Sequence, residues 1–147
     1  MPELTLAQDV DAPVERVWAA LTDWNRQHEW MLGTAVRATV GEGRQVGDEM
    51  EAVTGIGKIG FLDRMRIIRW EPPHVCDVLH YGRLVRGSGT FTVRERGSGS
   101  TVIWSEDLDL PFGRVGRWGW PLVRPAARWG LQLSLRRFAR WARGYSG

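Results

Sequence analysis

The chain has 147 residues, of which 43% are hydrophobic and 25% charged, and its formal net charge is +3. This size and balance predict one folded domain over residues 1–147, and no apolar run approaches the roughly 20 residues that cross a bilayer. The N-terminus lacks the basic and apolar stretches of a secretory signal. The single cysteine, Cys76, excludes internal disulfides and thiolate metal cages. We therefore expect a cytoplasmic protein.

The N-terminal part predicts a strand followed by two short helices. Glu3–Val10 alternates polar and apolar residues, as a half-buried strand does. Asp11 can cap a helix with Pro13 in its first turn, and apolar residues then recur at helical spacing as far as Thr22. A second helical segment is expected over residues 24–32.

The middle of the chain predicts an antiparallel meander. Glycine-rich or proline-rich turns at 41–43, 72–73 and 97–99 separate runs with strand character. Six strands are expected, over residues 34–40, 49–55, 59–70, 75–81, 84–96 and 100–110. Short turns between consecutive strands favour antiparallel pairing.

The last segment predicts a long amphipathic helix. Its apolar stripe, with spacings of three or four residues, consists of Val123, Ala127, Leu131, Leu135, Phe138 and Ala142. Pro121 and Pro125 predict an irregular or kinked lead-in, with a regular helix from about Pro125. Because a sheet must cover its apolar face, we expect this helix to lie across the strands. A bent sheet closing on one helix leaves an internal apolar cavity between them.

The same helix carries an unusual charge. Eight arginines and no acidic residue follow Asp109. A solvated helix face is the simplest interpretation, while attraction to phosphate or to an anionic membrane surface is the alternative. Single-stranded nucleic acid, which combines arginine with exposed aromatic residues, is disfavoured because these tryptophans belong to a helix expected to be packed.

Three segments, together with the order of elements, resemble one known superfamily. They are "DAPVERVWAALTD" near the N-terminus, "EPP" at residues 71–73 and "SLRRFARWA" in the last helix. The chain resembles the START-like (SRPBCC) superfamily, which includes polyketide cyclase/dehydrase and lipid-transport proteins. The resemblance implies an α+β helix-grip fold that binds a hydrophobic small molecule between sheet and helix. In some members it also implies cyclisation, dehydration or hydrolysis, although no catalytic signature carries over residue by residue.

His80 is the first candidate polar residue of the cavity. It shares a strand face with Cys76 and Val78, but the opposite face is also partly apolar, so the inward side of this strand stays open. If His80 faces inward, it can orient a ligand carbonyl or act as general acid or base near neutral pH. The alternative is a hydrogen-bonded or edge-exposed histidine without chemistry.

Glu106 is the second candidate. It follows Val102 and Trp104 on the more apolar face of the last strand. An acid among apolar neighbours suits proton transfer or pairing with an arginine. The alternative is a strand-end glutamate that reaches solvent or forms a structural ion pair.

No cofactor or metal site is predicted. Gly55–Gly60 matches the GxGxxG phosphate-binding pattern, but a strand rather than a helix is expected to follow it, so the glycines indicate a turn or bulge. The three histidines lack the spacing of a zinc site.

Three functions remain open. The first is binding of a small hydrophobic ligand, such as a lipid, a polyketide or another aromatic or isoprenoid-like molecule, in the cavity. The second is a polyketide cyclase/dehydratase-like enzyme using Glu106 and His80 as acid and base. The third is a peripheral membrane or partner-binding module that uses the basic helix. The predicted ligand-binding residues are Trp30, Met31, Met65, Trp104, Trp129 and Leu133.

Overall fold

Seven strands, two α-helices and one 3-10 helix make up the described part of the chain. A computed structural model describes residues 3–56, 59–109 and 114–146, without the side chains of 56 and 114–117. The elements in chain order are β1 (Glu3–Val10), α1 (Val14–Leu21), a 3-10 helix (Trp24–Glu29), β2 (Thr34–Val40), β3 (Glu49–Ile56), β4 (Ile59–Glu71), β5 (Val75–Tyr81), β6 (Arg86–Arg96), β7 (Gly99–Asp109) and α2 (Arg114–Arg143).

The strands form one antiparallel sheet in the order β1-β7-β6-β5-β4-β3-β2. Consecutive strands from β2 to β7 are neighbours, which confirms the predicted meander, and β1 joins the far edge of β7. Register shifts lie between Ala38 and Val40 in β2 and between Ile67 and Arg69 in β4. Such irregularities bend a strand and increase its twist, and the sheet curves around α2.

The second half of α2 packs into the core as its apolar stripe predicts. Leu135, Phe138 and Ala142 are fully buried, and the ring of Phe138 lies edge-on to Trp30 with centroids 4.9 Å apart. The first stripe residue, Val123, is 55% exposed, and Ala127 and Leu131 are half-buried, so the stripe becomes fully buried only from Leu135 onwards. The α+β helix-grip architecture is therefore confirmed.

Polar contacts fix the position of α2 on the sheet. Arg128 and Gln132 donate to the backbone oxygens of Thr5 and Ala7 in β1, at 3.1 and 3.3 Å. The hydroxyl of Ser134 accepts the backbone N–H of Leu32 at 3.1 Å. These bonds join the helix to the first strand and to the segment before β2.

Several predicted boundaries differ from the structure, most of them by one residue. α2 begins at Arg114 and continues through Pro121 and Pro125, so the lead-in is helical rather than irregular. Each proline removes one helical hydrogen bond, and because both prolines are exposed, water can reach the carbonyls left free. The second helical segment ends at Glu29 as a 3-10 helix, and β6 begins at Arg86. Residue 110, the predicted end of the last strand, lies outside the described residues.

None of the helices described is both long enough and apolar enough to span a membrane.

Candidate functional site

A cavity of about 410 Å³ lies between the concave face of the sheet and α2. Strands β2 to β7 supply most of its wall, and α2 closes it with a band of small and apolar residues. The helix residues of the lining are Ala127, Gly130, Leu131 and Ser134. The volume falls in the range of small-molecule sites, which is about 300–1,000 Å³.

Apolar side chains dominate the wall. Met31, Met65 and Trp104 line it, as the sequence predicts, and the ring of Trp104 lies 5.3 Å from that of Phe91. Cys76 adds a buried thiol, whose pKa burial raises to about 12. The thiol therefore stays protonated and behaves as part of the apolar wall.

The other three predicted lining residues lie elsewhere. Trp30 is fully buried in the core against Phe138, outside the cavity. Trp129 is 69% exposed and points away from the sheet, and Leu133 is also absent from the lining. Both helix residues are two positions from Leu131, and two positions turn the helix by about 200°, onto its outer face. The helix therefore has the predicted apolar stripe, but these two residues were assigned to the wrong side.

His80 faces the cavity. Cys76, Val78 and His80 are buried while Leu79 and Tyr81 on the other face are exposed, which resolves the orientation of β5. The imidazole hydrogen-bonds through Nδ1 to Asp63 Oδ1 and through Nε2 to Glu106 Oε2, each at 2.9 Å. We call these three residues the acidic-histidine cluster.

Glycines in β6 allow this cluster to form. β6 lies between β5 and β7, with Gly87 opposite His80 and Gly89 opposite Glu106. A Cβ on Gly89 would lie 2.7 Å from Glu106 Oε2, so any larger residue there would collide with the carboxylate. The bare backbone of β6 thus lets Glu106 reach across one strand to His80. Glycines two residues apart in a strand were the available sequence signal for such a close approach.

Asp63 is the site residue that the sequence analysis missed. It lies on β4 two residues from Met65, whose register partner is His80, and therefore shares a face with both. The alternation of Phe61, Asp63 and Met65 along β4 was the signal that could have found it.

The two acidic neighbours of His80 determine its charge state. Burial disfavours the imidazolium, but the hydrogen bonds to Asp63 and Glu106 and the attraction of the two carboxylates outweigh burial and raise the pKa of His80 to about 10. Near neutral pH the ring is protonated and both its N–H groups are donated. It is therefore not a base near neutral pH, and Glu106 pairs with an imidazolium rather than with an arginine.

Trp104 completes the surroundings of Glu106. Its indole N–H donates to Glu106 Oε1 at 2.9 Å, and His80 donates to the other carboxylate oxygen. The carboxylate is consequently held in one orientation while its side chain stays 16% exposed toward the cavity.

The described part of the glycine pattern lies in a hairpin between two strands. Gly55 and Gly60 are register partners in the β3–β4 hairpin, where a Cβ on Gly55 would lie 2.3 Å from a backbone oxygen. The GxGxxG segment thus leads into a strand. Over residues 3–56, 59–109 and 114–146, no group of histidine, cysteine and acidic side chains is arranged to hold a metal ion.

The outer face of α2 is exposed and combines apolar and basic residues. Trp118 and Leu122 are 77% and 84% exposed, and Trp129 lies on the same face two turns further along. Arg136 and Arg140 continue this row at spacings of seven and four residues. We call these five residues the outer stripe.

Comparison with known proteins gives a family match and several structural matches. A family model described as polyketide cyclase/dehydrase and lipid transport matches residues 1–143. Protein TTHA0849 from Thermus thermophilus is similar in structure, with a TM-score of 0.84 and 16% identity over 99% of this chain and 100% of that chain. The Zhui aromatase/cyclase from Streptomyces sp. R1128 has a TM-score of 0.80 and 12% identity over 97% and 93% of the two chains. At these identities the structures show the shared fold alone. No curated protein sequence matches.

Proposed function

Because the chain belongs to the polyketide cyclase/dehydrase and lipid transport family, we propose that it binds a small hydrophobic molecule in the cavity between sheet and α2. The observation that carries the proposal is the cavity itself, which is about 410 Å³ and lined mainly by apolar side chains. Burial of apolar ligand surface contributes roughly 25 cal/mol per Å² before the costs of association. A lipid, a polyketide or another aromatic or isoprenoid-like molecule matches this lining.

The lining residues divide into two roles. Met31, Met65 and Trp104 supply adaptable and aromatic contact surface for the ligand. The acidic-histidine cluster supplies the polar contacts that fix the ligand's orientation.

A glycine pair in α2 allows a direct test of the cavity. A Cβ on Gly130 or on Gly119 meets no atom within 4 Å, but only Gly130 lines the cavity. Gly130→Leu should fill the cavity and weaken binding of the fluorescent neutral hydrophobe N-phenylnaphthylamine at least about tenfold. Gly119→Leu, the matched control on the same helix, should leave the affinity unchanged. Equal affinity in both variants would contradict the proposal, as would the absence of binding by the unaltered protein.

An enzyme of the cyclase or dehydratase type is the second candidate. It is supported by the acidic-histidine cluster, which brings the two predicted residues, Glu106 and His80, within 2.9 Å of each other in the cavity. The Zhui protein of the same fold is an aromatase/cyclase. In this mechanism the carboxylate of Glu106 accepts a proton from a carbon beside a substrate carbonyl, and the electron pair of the broken bond moves into that carbonyl to give an enolate. The hydrogen bond from His80 holds Glu106 in position.

Substitution of Glu106 tests the enzyme candidate. Glu106→Gln keeps the shape and the indole hydrogen bond but removes the proton acceptor, so turnover of an aromatic polyketide substrate should fall by about 100-fold or more. The melting temperature and N-phenylnaphthylamine affinity serve as the structural controls. Unchanged turnover with an intact fold would remove Glu106 from the mechanism.

Contact with an anionic membrane is a separate candidate, supported by the outer stripe. Exposed tryptophan and leucine beside arginines suit the interface of an anionic bilayer. Vesicles of phosphatidylglycerol should sediment the protein at low salt and release it as salt is added. The double variant Trp118→Ser and Leu122→Ser should lose this binding. No sedimentation at low salt would dispose of this candidate.

A further inference from the structure

We infer that the cavity selects ligands that present a hydrogen-bond donor, either a neutral hydroxyl or an ammonium group, and rejects ligands that present a carboxylate or phosphate. The inference rests on the proposed binding function and specifies the polar end of the ligand. It follows from the charges and the hydrogen bonds of the lining residues.

The charged groups of the lining carry an excess of negative charge. Among the described residues of the wall they are Asp63, His80 and Glu106, with no arginine or lysine. The protonated His80 offsets one carboxylate, and the cluster keeps one net negative charge. In an apolar cavity this charge is weakly screened, so a second anion placed beside it is repelled more strongly than in water.

The donors of the cluster are already used inside the protein. His80 donates both ring N–H groups to the two carboxylates, and Trp104 donates its indole N–H to Glu106. Farther along the wall, the Ser134 hydroxyl bonds to the carbonyl oxygen of Gly130. Thr90 likewise donates its hydroxyl to Asp77. The His80 imidazolium therefore has no free N–H group with which to bind an anionic ligand.

The acceptors of the cluster, in contrast, have capacity left. The hydrogen bond from His80 occupies one oxygen of Asp63, and no described residue donates to the other, Oδ2. Each oxygen of Glu106 accepts one hydrogen bond and can accept another. Gln27, a neutral amide in the wall, offers both a hydrogen-bond donor and an acceptor, so it does not favour donor ligands over anionic ones. The open positions of the cluster thus match O–H and N–H groups of a ligand.

Three ligands with the same ring system test the inference. Naphthalene methanol, naphthalene methylamine and naphthalene carboxylate present a hydroxyl, an ammonium and a carboxylate on one apolar body. At neutral pH the first two should displace N-phenylnaphthylamine at concentrations at least about tenfold lower than the carboxylate does. Tighter or equal binding of the carboxylate would overturn the inference while leaving the proposed function intact. Failure of N-phenylnaphthylamine to bind would overturn both.

Substitutions in the acidic-histidine cluster test whether the cluster causes this preference for hydrogen-bond donors over anions. Asp63→Asn removes one negative charge from the cluster. The carboxylate and hydroxyl ligands displace N-phenylnaphthylamine at different concentrations, and the ratio of these two concentrations should fall at least about threefold in the variant. Glu95→Gln is the control for the loss of one negative charge, because Glu95 is exposed near the end of β6 and lies outside the cavity lining. If Asp63→Asn fails to fold, Glu106→Gln makes the same charge change from β7. An unchanged ratio in a folded cluster variant would contradict the assignment.

Discussion

The histidine at the centre of the site is held between two acids. His80 is 5% exposed, and each of its ring nitrogens lies 2.9 Å from a carboxylate oxygen. A buried imidazolium is unfavourable by itself, so the two carboxylates are what keep the ring charged. The charge of His80 therefore depends on both carboxylates.

This linkage predicts how stability depends on pH. The pKa of His80 is about 10 in the folded protein and near the ordinary 6.5 in the unfolded chain. Because folding raises this pKa, the stabilisation by His80 is complete below about pH 6.5 and is lost as pH rises toward about 10. The free energy of unfolding, measured with urea, should fall across that interval. In His80→Gln the fall should be much smaller.

The control for this measurement is His28→Gln, since His28 is exposed and outside the cluster. That variant should keep the pH dependence of the unaltered protein. If His80→Gln kept the full dependence, the protonated cluster would be contradicted.

Sequence reasoning at this scale found two members of the cluster and missed the third. His80 and Glu106 stood out because each interrupts an apolar strand face. Asp63 alternates with Phe61 and Met65, but this signal is easily overlooked because β4 contains four other charged residues. The raised pKa of His80 could not be predicted, because it arises from contacts with residues on other strands. Asp63 is 17 positions away from His80 in the sequence, and Glu106 is 26 positions away.

At the scale of elements, α2 has two faces with different tasks. Its inner face contributes Leu135 and Phe138 to the core, and its outer face exposes Trp118 and Trp129. Periodicity predicted the inner face because apolar residues recur every three or four positions. It could not assign the tryptophans, because a large aromatic residue on the outer face looks the same in the sequence as one in the core.

Two tryptophan substitutions make this contrast measurable. Trp30→Ala should lower the free energy of unfolding by about 3–5 kcal/mol, because the fully buried ring leaves a void against Phe138. Trp129→Ala should change it by no more than about 0.5 kcal/mol, because that ring is 69% exposed. Urea titration of both variants checks the pair, and Trp30→Phe keeps the comparison possible if the alanine variant does not fold. Similar losses at both positions would contradict the placement of the two rings.

On the scale of the whole molecule, the cavity is a part of the interior that side chains do not fill. Large residues such as Trp30 and Phe138 fill the space on one side of it, whereas Ala127 and Gly130 leave room on the other. The helix-grip arrangement was predictable from the order of elements. The exact lining was not, since it depends on the helix rotation and on the bends of the sheet.

The reactivity of the single cysteine measures how accessible the cavity is to reagents in solution. Cys76 is 1% exposed and lines the cavity, and its thiol has a pKa of about 12. Its reaction with a bulky thiol reagent at mildly alkaline pH should be at least about 100-fold slower than in urea-unfolded protein. Saturating N-phenylnaphthylamine should slow the reaction of Cys76 further. The rate is measured from the absorbance of the thiol that the reagent releases. Rapid labelling that the hydrophobe does not affect would contradict the buried position of Cys76 in the cavity wall.

The pairing of β1 with β7 has a consequence for how the chain reaches its fold. Glu3 is the register partner of Asp107, so β1 gains its neighbour in the sheet only when β7, about 100 residues further along the chain, is in place. Closing a loop of this length is entropically costly, and sheets built on distant pairs fold slowly. Until β1 and β7 pair, β1 and the edge of β7 that faces it are unpaired strand edges that can associate with other chains. The stage of folding before β1 and β7 pair is therefore the one at which association with other chains is most favoured.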